Sequence, residues 1–154
     1  MKFTQTQRKD KWMKIQVKYH NQNIPKLKKI EHGDLIDLYA AETVVMRTGD
    51  FKLISLGISV KLPHGYKAQI YPRSSTYKNW GITMPNSVGQ VDNSYCGDSD
   101  IWMFPALADR DTVIHEGDRI CQFEIVPIMQ GIQIEEVDSL YDSPRGGFGS
   151  TGKK

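Results

Sequence analysis

The sequence has few of the residues that hold metals or staple chains together. It contains 2 cysteines and 4 histidines in 154 residues. Cys96 and Cys121 have neither zinc-ligand spacing nor a disulfide-rich setting. His20, His32, His64 and His115 are scattered, with no pair at helical or strand spacing. These absences argue against a transition metal held by protein side chains and against a disulfide scaffold. No apolar run approaches the ~20 residues that span a bilayer, and the N-terminus lacks the apolar segment of a signal peptide. A cytoplasmic protein without a membrane partner is the expectation. An excess of one charge is also missing: 20 Lys and Arg face 18 Asp and Glu, a net +2. That balance gives no electrostatic case for direct nucleic-acid binding. The early basic residues Arg8, Lys9, Lys11, Lys14 and Lys18 read as a solvated face. Cys121 sits in an apolar run and reads as a buried thiol, while Cys96 has no adjacent His or Lys to activate it.

What is present points to short strands. Ile15, Val17 and Tyr19 alternate, as do Tyr66, Ala68, Ile70 and Pro72. Apolar runs also occur at Leu35–Met46, Phe51–Leu62, Ile101–Phe104, Thr112–Ile114 and Ile120–Val126, with one more strand expected over Ile132, Ile134 and Val137. Turn signals separate them: Thr48-Gly49-Asp50, Pro63-His64-Gly65 and His115-Glu116-Gly117-Asp118. Pro105 is expected to stop the strand begun at Ile101. Ser74–Gly81 has no strand period and reads as a short helical turn. Helical periodicity is otherwise almost absent, so the fold class is all-β, a barrel or sandwich. Residues 1–13 read as a flexible leader, with Met13 as an alternative start, 14–142 as the one domain, and 143–154 as a flexible tail too glycine-rich to bury a core.

Two stretches carry chemistry. Gly89-Gln90-Val91-Asp92-Asn93-Ser94-Tyr95-Cys96-Gly97-Asp98, preceded by Ile82, Met84 and Val88, reads as a β-hairpin with an acid and an aromatic near its bend. An acid there can act as a base on water, and the ring can stack on a sugar or base. Taken alone, the stretch reads as well as a surface turn. The tail, Ser143–Lys154, combines Gly, Arg, Ser and Thr, the donors that phosphates need, without the Gly-Lys-Ser/Thr of a P-loop.

Set in order, these segments resemble the trimeric dUTPases (dUTP diphosphatases) in five motifs. They are Asp37-Leu38-Tyr39-Ala40-Ala41; Pro72-Arg73-Ser74-Ser75; Asn86 with Gly89-Gln90-Val91-Asp92, Tyr95 and Gly97; Gly117-Asp118-Arg119-Ile120-Cys121-Gln122; and Arg145-Gly146-Gly147-Phe148-Gly149-Ser150-Thr151-Gly152. The resemblance implies a jelly-roll-like β-barrel that forms a homotrimer with shared active sites. It implies that dUTP is split into dUMP and pyrophosphate, with Mg²⁺ held mainly by the triphosphate. It makes Asp92 the base on the attacking water and Tyr95 the ring against deoxyribose. Gly89, Gln90 and Val91, with Asn86, would read uracil. Arg73, Ser74 and Ser75 would hold phosphate oxygens, and Asp37 and Gln122 would position waters around the metal or nucleophile. In the tail, Arg145 would grip the γ-phosphate, Phe148 with Gly149 would cover the uracil, and Ser150 and Thr151 would donate to phosphate.

The chain departs from the family pattern in places. Ser75 stands where many members have glycine, and Arg-Ser-Ser also occurs in dCTP deaminases. Those enzymes need a glutamate in the strand that here reads Ile101-Trp102-Met103-Phe104-Pro105, so deamination, alone or alongside dUTP hydrolysis, is the lesser alternative. Asp98-Ser99-Asp100 is one residue longer than usual, and Leu35-Ile36 replaces a glycine-aromatic pair. A nucleotide-controlled regulatory protein partner is a further alternative. Asp37 reads equally as a strand acid that satisfies donors, and Arg119 as an ion-pair partner or a ligand contact. Trp12, Trp80 and Trp102 read as core or subunit contacts.

Overall fold

The computed structural model describes residues 12–152. The expected leader therefore lies outside the described residues except for Trp12 and Met13, which are both exposed; Lys153 and Lys154 of the expected tail also lie outside them. In chain order the elements are β1 (Gln16–Tyr19), β2 (Ile36–Tyr39), β3 (Val44–Met46), β4 (Phe51–Ser55), β5 (Ile58–Lys61), β6 (Tyr66–Pro72), α1 (Thr76–Trp80), β7 (Ile82–Thr83), β8 (Gly89–Val91), β9 (Met103–Ala108), β10 (Thr112–Ile114) and β11 (Arg119–Pro127). All strand pairs are antiparallel, in the orders β2-β11-β6-β8, β4-β9-β7, β1-β5 and β10-β3. These sheets wrap one continuous apolar cluster as a jelly-roll-like β-barrel.

The period-2 pattern explains which residues fill it. On β6, Ala68 and Ile70 point inward, and on β11 Phe123 does so. Phe123 meets Trp102 edge-on, with ring centroids 5.1 Å apart. The register of β11 against β2 shifts between Arg119 and Cys121. This bulge turns two successive residues, Ile120 and Cys121, into the core. The short helix ends at Gly81, whose φ of 61° is left-handed and whose N–H bonds to the Tyr77 carbonyl. A Cβ at Gly81 would lie 2.5 Å from Arg110 Cγ, so glycine is required there twice over.

Three expectations are corrected. The stretch around Asp92 is no self-contained hairpin: β8 pairs with β6, while β7 pairs with β9. Pro105 does not stop its strand but sits inside β9, opposite Leu53. It is tolerated because β7 reaches only Leu107 and Ala108, so no neighbour on that side needs its missing N–H. Finally, Ile132, Ile134 and Val137 form no strand and are exposed. Their alternation is real, but β11 ends at Pro127 and, after the Ile128 N–H bond to the Gly65 carbonyl, the chain that follows enters no sheet among the described residues.

Candidate active site

Strand β8 is an edge strand three residues long, and the chain leaving it carries Asp92. Beside it lies a cleft of about 270 Å³ lined by Asn86, Gly89, Gln90, Val91, Asp92 and Tyr95, with Ile70, Trp102 and Pro105 among its apolar walls. The cleft is small against the roughly 300–1,000 Å³ of common ligand pockets. It suits a nucleoside better than a whole triphosphate. The Asp92 side chain is exposed and makes no hydrogen bond or ion pair among the described residues. Its carbonyl accepts the Tyr95 N–H at 3.0 Å, and the Tyr95 hydroxyl donates to the Ile101 carbonyl at 3.0 Å. The ring is thus anchored at its polar end and presents its face. Asn86 donates to the Val88 carbonyl at 3.4 Å, and Ser87 between them holds a φ of 63°, a strained value for a non-glycine residue.

A second polar group forms where β6 runs into α1, against β2 and β11. Arg73 Nε meets Asp37 Oδ1 at 3.0 Å, and Arg119 NH1 meets Asp37 Oδ2 at 3.2 Å. Arg73 NH1 also donates to the Arg119 carbonyl at 3.2 Å and to Ser75 Oγ at 3.4 Å. Both carboxylate oxygens of Asp37 are therefore engaged by guanidinium groups. Gln122 donates to the Pro72 carbonyl at 3.2 Å, and Ser74 is exposed. Cys121 lies behind this group; burial, with Asp37 adding to it and Arg73 opposing, pushes its thiol well above 9.0 and leaves it inert. Arg73, Ser74, Ser75, Asp37 and Gln122 do not line the cleft beside Asp92.

The tail is brought to neither group. Arg145, Phe148, Gly149, Ser150 and Thr151 are exposed, and the segment folds only on itself, through Ser150 N–H to Gly147 and Gly152 N–H to Gly149, both 3.0 Å. The site residues thus fall into three groups within one chain.

Two residues that hold these groups were not singled out from the sequence for that task. Asn93, read there only as part of the expected hairpin, donates from Nδ2 to the carbonyls of Pro63 and Tyr66, both at 2.8 Å, and ties the Asp92 loop to the β5–β6 turn. Thr76 is fully buried; its hydroxyl accepts the Arg73 N–H at 2.7 Å and donates to the Ile120 carbonyl at 2.8 Å. Asparagine in a turn was the available signal for the first. Nothing in the sequence marked the second.

The architecture defines the class: a jelly-roll barrel with a nucleoside-sized cleft, an uncommitted carboxylate at its mouth and an arginine–serine corner apart from it. The dUTPase family profile matches residues 22–152. The SPbeta prophage-derived deoxyuridine 5'-triphosphate nucleotidohydrolase of Bacillus subtilis (strain 168) is 51% identical over 142 residues, covering 92% of this chain and 100% of that one. The deoxyuridine 5'-triphosphate nucleotidohydrolase of Hydrogenobaculum sp. (strain Y04AAS1) is 39% identical over 122 residues, covering 77% and 83%. Among solved structures, the Staphylococcus bacteriophage 80alpha dUTPase G164S mutant with dUpNHpp matches with a TM-score of 0.72 at 22% identity, covering 91% of this chain and 99% of that one. The dUTPase from Streptococcus mutans matches with a TM-score of 0.66 at 20% identity, covering 76% and 98%. The chain belongs to the dUTPase family.

Proposed function

We propose that this chain hydrolyses dUTP to dUMP and pyrophosphate, keeping uracil out of DNA and supplying dUMP for thymidylate synthesis. The observation that carries the reading is the uncommitted Asp92 carboxylate at the mouth of a cleft walled by Gly89, Gln90, Val91 and Tyr95. Asp92 takes the proton of the attacking water. A carboxylate suffices, because cleaving a phosphoanhydride is mainly positioning and charge stabilisation. The edge of β8 offers backbone donors and acceptors to the uracil, with Asn86 beside it. Cytosine, with an amine and an acceptor reversed in place, leaves these groups unpaired and is rejected. The Tyr95 face packs on deoxyribose and leaves no room for a 2′-hydroxyl.

Arg73, Ser74 and Ser75 hold phosphate oxygens, and Asp37 and Gln122 position waters around the metal or the nucleophile. Mg²⁺ enters with the triphosphate as part of the substrate, where it neutralises phosphate charge. The donor set fits this: among the described residues no cluster of three or more His, Cys, Asp or Glu could hold a metal ion. Arg145, Phe148, Gly149, Ser150 and Thr151 close over the bound nucleotide. Because the cleft and the arginine corner are separate in one chain, the complete site forms in a homotrimer from neighbouring subunits.

Pyrophosphate release, measured on each common dNTP and on UTP with and without Mg²⁺, tests the reading. Turnover is expected for dUTP alone and to depend on Mg²⁺. Comparable turnover of UTP would remove the role of Tyr95, and release of ammonia from dCTP would favour the deaminase alternative.

A further inference from the structure

Among the described residues strand β8 pairs with β6 alone, through the pairs Ala68–Val91, Gln69–Gln90 and Ile70–Gly89. Three residues of edge ladder give a base-reading strand little to fix it. On the outer face of the sheet, however, a chain of side chains runs across three strands to reach it. Glu124 on β11 lies opposite Gln69 on β6, and Gln69 lies opposite Gln90 on β8. The Tyr71 hydroxyl is 2.8 Å from Glu124 Oε1 and 2.6 Å from the Gln69 amide, and the Gln69 and Gln90 amides meet at 3.3 Å. Glu124, Tyr71 and Gln69 are not among the residues that line the cleft, and Gln69 bonds to Gln90, which is.

We propose that Tyr71, braced by Glu124, is a positioning residue for base recognition: it fixes the Gln69 amide, which holds Gln90 and with it the register of strand β8. The inference rests on the proposed reading in which β8 presents its backbone to the base. Tyr71 can serve in this way because it remains a donor. Its hydrogen bond to Glu124, burial, and the charge of Glu124 all raise its pKa above 10.0, so the hydroxyl keeps its proton at neutral pH. The phenol gives its one proton to Glu124 and accepts from the Gln69 amide nitrogen, with Gln90 in turn donating to Gln69. A residue at 124 that still offers an oxygen to the phenol therefore leaves the chain intact, whereas loss of the phenol oxygen breaks it.

These substitutions separate positioning from general stability. Tyr71→Phe is expected to raise KM for dUTP about three- to tenfold, the scale of one lost side-chain hydrogen bond, with kcat retained. Selectivity for dUTP over dCTP should fall by a similar factor, and amide exchange at Gly89–Val91 should quicken. Gln69→Leu cuts the same chain one link further on and should give the same KM-only loss, which keeps the test available if Tyr71→Phe folds poorly. Glu124→Gln retains a hydrogen-bonding partner for Tyr71 and should behave as wild type. The proposal is overturned if both Tyr71→Phe and Gln69→Leu leave KM, selectivity and exchange at Gly89–Val91 unchanged, or if they lower kcat alone. Faster exchange at Gly89–Val91 with unchanged base selectivity would instead overturn the assignment of β8 to base reading. Wild-type protein that does not turn over dUTP would overturn the proposed function itself.

Discussion

Asp92 and Asn93 are neighbours with opposite duties. The Asp92 side chain has no partner among the described residues, whereas that of Asn93 has two carbonyls at 2.8 Å. Asp92→Asn should leave dUTP affinity near normal while lowering kcat about 10²–10⁴-fold, the usual worth of a general base; titration with a non-hydrolysed analogue alongside single-turnover kinetics checks both halves. Asn93→Ala should cost about 1 kcal/mol, since two half-buried carbonyls lose this donor, and should lower kcat as well by releasing the loop that aims Asp92. Denaturant melts and steady-state rates read the two effects. The thiols make a third contrast: Cys96 is exposed and Cys121 buried. A thiol reagent should modify only Cys96 in the native protein. Because the folded pKa of Cys121 is raised, the unfolded chain releases that proton first as pH rises. Stability is therefore intact below about pH 9 and declines above it. Cys121→Ala should make the fall in melting temperature above pH 9 shallower.

At the scale of elements, most strands were legible because one face of each is buried and the period-2 pattern survives. The alternation in β1, β6 and β11 was visible in Val17, Ile70 and Phe123. What the pattern could not show was pairing. Gly89–Val91 looks like one arm of a hairpin, yet its partner is β6, more than fifteen residues upstream, because register depends on the whole barrel. Pro105 was misleading for a related reason: whether proline ends a strand depends on whether a neighbour needs its N–H, and here β7 is too short to ask. The residues at the site were legible as motifs, but their partners were not. Nothing in the spacing of Asp37, Arg73 and Arg119 reveals that one carboxylate serves both arginines. The tail was legible as a segment without a core, and its residues are exposed from Ser143 to Gly152. Truncation before Arg145 should therefore leave the melting temperature unchanged while sharply lowering dUTP turnover. A large fall in melting temperature would make the tail structural.

The whole molecule leaves an apolar surface that a single barrel does not need. Val45, Phe51, Leu53 and Val113 are exposed on strands, and Ile132, Ile134, Leu140 and Tyr141 are exposed beyond β11. Surface of this kind is expected of a chain that assembles. Assembly is also what the proposed shared site requires, because the Asp92 cleft, the Arg73 corner and the Arg145 tail stand apart in one chain. The most direct measurement co-expresses Asp92→Asn and Arg73→Ala chains, each inactive alone, and assays the purified mixed trimers for pyrophosphate release from dUTP. If each site takes its base from one subunit and its phosphate arginine from the next, random assembly restores about a quarter of the wild-type sites. Mixed trimers as inactive as either parent would contradict a site shared between chains.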